Sequence, residues 1–104
     1  KQIAPDNYTA RANLAAALFQ LKRYAEAKIE YAWLTEKQPA VPVGYYFLAI
    51  SHDNLGEYMD AMANYQQFLR LADPKTNQLE IEKVNLRLPS LQKLIRRQEK
   101  KRGK

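Results

Sequence analysis

A chain of 104 residues has room for one small core, and its 46% hydrophobic share is ordinary for a folded protein, so two domains are not expected. The absence of cysteine excludes disulfide frameworks, thiolate metal sites and cysteine nucleophiles, and leaves a cytoplasmic and a periplasmic setting equally compatible. The net charge of +6 is local: of 17 basic and 11 acidic residues, the segment 93–104 holds seven basic ones against Glu99 alone, leaving a body with ten of each.

In chain order, Pro5 followed by Asp6 reads as a helix start with Asp6 as its N-cap. Ala10, Leu14, Ala17, Leu18 and Leu21 then recur at helical spacing, and Lys22-Arg23 forms a tight turn. A second helix carries Tyr24, Ala27, Tyr31 and Leu34, and Pro39 with Pro42 separates this first hairpin from the second. Tyr45, Leu48 and Ala49 mark a third helix, Leu55-Gly56 a second tight turn, and Tyr58, Ala61, Met62, Tyr65, Phe68 and Leu69 a fourth helix. After Pro74 one stripe continues through Leu79, Val84, Leu88, Leu91 and Ile95, with Glu80, Glu82, Lys83, Arg87, Gln92 and Lys93 on its polar side. Pro89 lies within it; because the stripe keeps its phase, the spacing predicts one kinked helix rather than two. Beyond Glu99 the basic end is expected to fray. The fold class expected is all-α. No run of about 18 apolar residues spans a membrane, and Lys1-Gln2-Ile3-Ala4-Pro5 lacks the apolar core of a signal peptide.

Sliding the chain over itself by 34 residues superimposes Leu14 on Leu48, Ala15 on Ala49, Leu21 on Leu55, Tyr24 on Tyr58, Ala27 on Ala61, Tyr31 on Tyr65, and Pro5 on Pro39. With this period the second copy reads Tyr45, Leu48-Ala49, His52, Gly56, Ala61, Tyr65, Phe68 and Pro74, the last displaced by one residue. The first reads Arg11, Leu14-Ala15, Leu18, Ala27, Tyr31, Leu34 and Pro39, with no leading aromatic and with Lys22 in place of the turn glycine. This set resembles the tetratricopeptide repeat over residues 1–74. The resemblance implies two helix–turn–helix hairpins and a C-terminal capping helix, a fragment of a right-handed α-solenoid. Residues 1–7 would be the end of a preceding repeat or a linker, 8–41 and 42–76 the two repeats, and 77–104 the cap with its basic tail. In that frame Pro5 closes an earlier repeat and Lys1 to Ala4 end its second helix, so the expectation is a fragment of a longer protein. Ala15, Ala27, Ala49 and Ala61 are expected where helices approach closely, a bulkier residue there costing about 1–3 kcal/mol.

Side chains able to do chemistry are sparse. His52 is the sole histidine and sits where the repeat usually packs a tyrosine, so it reads as a packed or partly exposed imidazole. With no cysteine and no second histidine the ligand count for a metal is insufficient. The pairs Glu26/Glu30 and Glu80/Glu82 lie beside lysines at surface positions, and no phosphate loop, dinucleotide fingerprint or nucleophile elbow occurs. No cofactor, no small-molecule substrate and no enzymatic activity are expected.

The resemblance places a partner-binding groove on the first helix of each hairpin. Its positions are Thr9, Ala12, Asn13, Ala16 and Gln20 in the first repeat, and Val43, Tyr46, Phe47, Ile50 and Asn54 in the second. The aromatic and aliphatic group could anchor a protein or peptide partner, with Asn13, Gln20 and Asn54 pairing to its backbone. The same pattern also fits Tyr46, Phe47 and Ile50 packing on a neighbouring helix, the closing one included, and both readings stay open. Some members of the family clamp a terminal carboxylate with a lysine and two asparagines; here Ala12, Ala16 and Phe47 stand there, so that clamp is not expected. The alternative function is binding of a nucleic acid or anionic surface through the basic tail. A nucleic acid is the lesser expectation, because phosphate binding usually needs a wider basic patch. Exposed hairpin edges leave a homo-oligomer open.

Overall fold

A computed structural model describes residues 7–103, which form five α-helices: α1 Tyr8–Gln20, α2 Tyr24–Lys37, α3 Pro42–Asn54, α4 Tyr58–Leu71 and α5 Gln78–Arg102. Each packs chiefly on its neighbours in sequence, α1 on α2, α2 on α3, α3 on α4 and α4 on α5. Among the described residues there is no strand, so the chain is all-α. Its radius of gyration is 14.6 Å and its extents 52 × 35 × 22 Å. A compact domain of this length has a radius near 13 Å, so the chain is somewhat more extended than that.

The helix boundaries recur at the 34-residue period: Tyr8 and Pro42, Gln20 and Asn54, Tyr24 and Tyr58, Lys37 and Leu71. The inter-helix turns recur too, with positive φ at Lys22 (61°) and Gly56 (78°). Ala15, Ala27, Ala49 and Ala61 are all 0% exposed, as close approach of paired helices requires. Between the two hairpins the approach is set by Gly44, where an added Cβ would stand 3.0 Å from Thr35 Cγ2. Buried Ser51 and Thr35 satisfy their hydroxyls on their own helices, at Phe47 O and Ala32 O.

Several local expectations change. Asn7 caps α1, its Oδ1 accepting from Ala10 N–H at 2.9 Å; Asp6, like the rest of residues 1–6, lies outside the described residues. Pro42 does not separate the hairpins but occupies the first turn of α3, where its missing N–H costs nothing. Leu79 is 60% exposed rather than part of the buried stripe. The five-residue step from Leu79 to Val84 carries it off the row, and Ile81, three residues before Val84, takes the place. Leu14 is exposed while its counterpart Leu48 is buried, because Leu48 is covered by the α1–α2 hairpin and no described helix precedes α1. Across Pro89, α5 runs unbroken, as the phase of its stripe predicts.

Two clusters make the core. Ala15, Leu18, Ala27, Tyr31, Leu34 and Leu48 form one; Tyr46, Ala49, Ala61, Tyr65, Phe68, Val84 and Leu91 form the other. Helix α5 is locked on by charge as well as by apolar contact. Arg87 donates to Asp53 of α3 through Nε at 2.8 Å and Nη2 at 2.7 Å, and Tyr65 of α4 donates to the same carboxylate at 3.0 Å.

The turns give a test of the repeat geometry. Gly56→Ala meets no atom within 4 Å, so its cost of about 1 kcal/mol is conformational alone, and Lys22→Gly gains a similar amount by relieving a left-handed lysine. Urea unfolding of both variants reads the opposite signs. For the closing helix, Arg87→Met leaves the Asp53 carboxylate, 11% exposed, without its cation and lowers stability by about 1–3 kcal/mol. Adding Asp53→Asn to that variant recovers part of the loss in the same measurement.

Candidate functional site

The expected groove positions divide sharply by depth. On α1, Thr9, Asn13, Ala16 and Gln20 follow one another at steps of four and three and are all exposed, with Ala12 half-buried beside them. On α3, Val43 is 43% exposed and Asn54 is exposed, its Nδ2 donating to Ile50 O of its own helix at 2.9 Å rather than standing free for a partner.

The central three residues do not form an open anchor. Tyr46 is 8% exposed, in the cluster that holds Val84 and Leu91 of α5, and its ring lies 5.2 Å from that of Phe68. Burial, and then the nearby charge of Glu80 on α5, push its phenol pKa up. Ile50 is half-buried against the same cluster. Phe47 is half-buried between Phe19 at 4.9 Å, Tyr31 at 5.4 Å and Tyr46 at 5.2 Å. The covered arrangement therefore holds for Tyr46 in full and for Ile50 and Phe47 in part. For Tyr46 and Ile50 the reason includes α5, whose apolar row joins their cluster together with α4; for Phe47 it is the rings of α1 and α2.

An open apolar site exists next to them. A cleft of about 510 Å³ lies between the start of α1, the end of α2 and the start of α3. Ala12, Val43 and one side of Phe47 reach it from the expected groove; Tyr8, Tyr31, Leu34, Gln38, Val41 and Gly44 complete it. Sequence reasoning missed these because Tyr31 and Leu34 read as core positions, and each is indeed a core residue with one edge on the cleft. Gly44 lines the cleft, and without a Cβ it lets α3 approach Thr35 closely. One rim is stiffened by Trp33, which lies 6.2 Å from Tyr8 and carries the Arg11 guanidinium 4.2 Å above its ring. Arg11 in turn donates to Glu30 at 2.8 Å.

At the α3–α4 turn charged side chains are engaged with one another. Glu57 accepts from Lys28 Nζ at 3.0 and 3.1 Å and lies 2.8 Å from His52 Nδ1. These partners, His52 first, hold its pKa below the ordinary carboxylate range. The fold thus brings His52, Glu57 and Asp60 together with ligand atoms within 4.8 Å of one another, a grouping that spacing along the chain did not reveal. Lys28 already supplies the positive charge there, so the group reads as an ion-pair knot across the α3–α4 turn. His52 is thus a half-buried imidazole with a hydrogen-bond partner in Glu57.

No family model matches this chain, and no curated protein matches it. Among the described residues no helix is long and apolar enough to cross a membrane.

The buried phenols give the protein a pH signature. Tyr31, Tyr46 and Tyr65 all have raised pKa values, chiefly from burial, and Tyr65 also from the Asp53 carboxylate beside it. A group that holds its proton more tightly when folded contributes fully below its unfolded pKa of about 10 and loses that contribution as pH rises above it. Stability is therefore expected to be level through neutral pH and to fall above about pH 10. Urea midpoints measured from pH 8 to 11 check this, and Tyr31→Phe flattens the decline without removing a hydrogen bond to Asp53.

Proposed function

We propose that this chain is a non-catalytic binding module of the tetratricopeptide type, a right-handed solenoid fragment that holds a protein or peptide partner. The observation that carries the reading is the apolar cleft where α1, α2 and α3 meet. It is large enough for one or two side chains, lined by rings and aliphatic groups, and built on three packed helices instead of loops. The 34-residue recurrence of helix boundaries and of positive φ at Lys22 and Gly56 supports the repeat assignment.

The anchor point moves from the middle of α3 to its start. A partner's aliphatic or aromatic side chain would enter between Ala12, Val43 and Phe47, and its backbone would run along the exposed polar face of α1. Thr9, Asn13 and Gln20 offer donors and acceptors there.

Val43 discriminates best, because it lines the cleft yet is 43% exposed and belongs to neither core cluster. Peptides selected from a random phage-displayed library on the folded chain are expected to lose at least tenfold in affinity on Val43→Asp, a change of about 1.4 kcal/mol. The melting temperature should barely move, since exposed substitutions stay within about 0.5 kcal/mol. Peptides that bind Val43→Asp and the parent equally, by fluorescence polarisation, place the binding face elsewhere.

A further inference from the structure

Helix α5 carries two opposed faces. Val84, Leu88, Leu91 and Ile95 recur at steps of four, three and four and pack on the body. Lys93, Arg96, Arg97, Lys100 and Lys101 recur at steps of three, one, three and one, and every one is exposed. Leu91 and Lys93 differ by two residues, about 200° around the helix, so the basic row lies diametrically opposite the packed one. Glu99, four residues after Ile95 and exposed, flanks the row and shares a surface depression with Lys93, Arg96, Arg97 and Lys100, the one carboxylate against four cations there. Among the described residues no carboxylate pairs with any of these five cations.

The end of the row extends beyond the last side-chain hydrogen bond to the body. At 25 residues α5 is much longer than the 14-residue α4 it packs on. The last side chain tying it down is Gln98, whose Nε2 donates to Gly56 O at 2.9 Å. About a turn of helix follows that point, with Lys100, Lys101 and Arg102 all exposed.

We propose that this face of α5 binds the phosphate backbone of duplex DNA without regard to sequence. Five cations along one helical face, two per turn, match a polyanion whose charges are themselves closely and regularly spaced. The major groove of B-form DNA, about 12 Å wide, admits a helix, whereas that of A-form RNA does not. Single strands are held by stacking on aromatic rings, and the last aromatic residue of the chain is Phe68 on α4. Insertion into a membrane surface requires apolar side chains beside the cations; from Lys93 onward these are Leu94 and Ile95, both half-buried. This surface is separate from the cleft, so neither proposal rests on the other.

Fluorescence anisotropy of the full 104-residue chain with a labelled 20-base-pair duplex of mixed sequence, at 50 to 200 mM salt, tests the proposal. Neutralising about five phosphates gives a slope of about −4.5 in log K against log salt, and a loss of roughly 500-fold over that range. Arg96→Gln with Arg97→Gln lowers the magnitude of the slope by about 2. That variant should melt as the parent does, because both side chains are exposed. Absence of binding at 50 mM salt overturns the proposal, as does binding unchanged in the double variant. Tighter binding to phosphatidylserine vesicles or to polyglutamate than to the duplex, at equal salt, overturns it as well, in favour of a membrane or an acidic protein surface.

Discussion

Everything in this fold is hung on the two-sidedness of α3. Leu48 belongs to the cluster of the first hairpin, while Tyr46 and Ala49 belong to the cluster of the second and of α5. Phe47 stands between them, in ring contact with Phe19 of α1, Tyr31 of α2 and Tyr46 beside it, and Tyr46 passes the contact on to Phe68 of α4. A helix that is apolar on one stripe only could join one hairpin. Because α3 is apolar nearly all round, it joins both, and the row of helices behaves as one packed body whose neighbours support one another in turn.

The same demand explains why the expected binding anchors became structural. An aromatic and aliphatic patch at the middle of α3 needs cover, and α5 supplies it with an apolar row and a charge lock, Arg87 on Asp53 with Tyr65 as a third partner. The carboxylate is mostly buried, so the lock does more to orient α5 than a surface ion pair would. Once α5 lies there, the open part of the surface shifts to the start of α3, where Val43, Gly44 and the outer edge of Phe47 face Ala12 and Tyr8 of α1.

The chain thereby presents two surfaces of opposite chemistry. The cleft is apolar, recessed and held by three helices; the outer face of α5 is cationic, convex and held by one. The first suits a side chain that must leave water, the second a charge that need not. Their separation lets one be altered without the other, because no residue of the basic row lies in either core cluster.

Periodicity alone determined a great deal here. Apolar residues at steps of three and four place all five helices, and the 34-residue recurrence locates both turns, because local spacing and backbone preference are properties of short stretches. Ala15, Ala27, Ala49 and Ala61 as points of closest approach were legible for the same reason: a small residue repeated at one phase of an apolar row has few other uses. What the tertiary structure alone decided is which apolar faces remain open. Tyr46, Phe47 and Val43 look alike in sequence, and only the packing of the helices buries the first in the cluster shared with α5, half-buries the second among Phe19, Tyr31 and Tyr46, and leaves the third exposed. Pairs such as Asp53 with Arg87, or Lys28 with Glu57, join residues 34 and 29 apart on different helices. Such pairing depends on how the helices sit on one another, which spacing along a single helix does not encode.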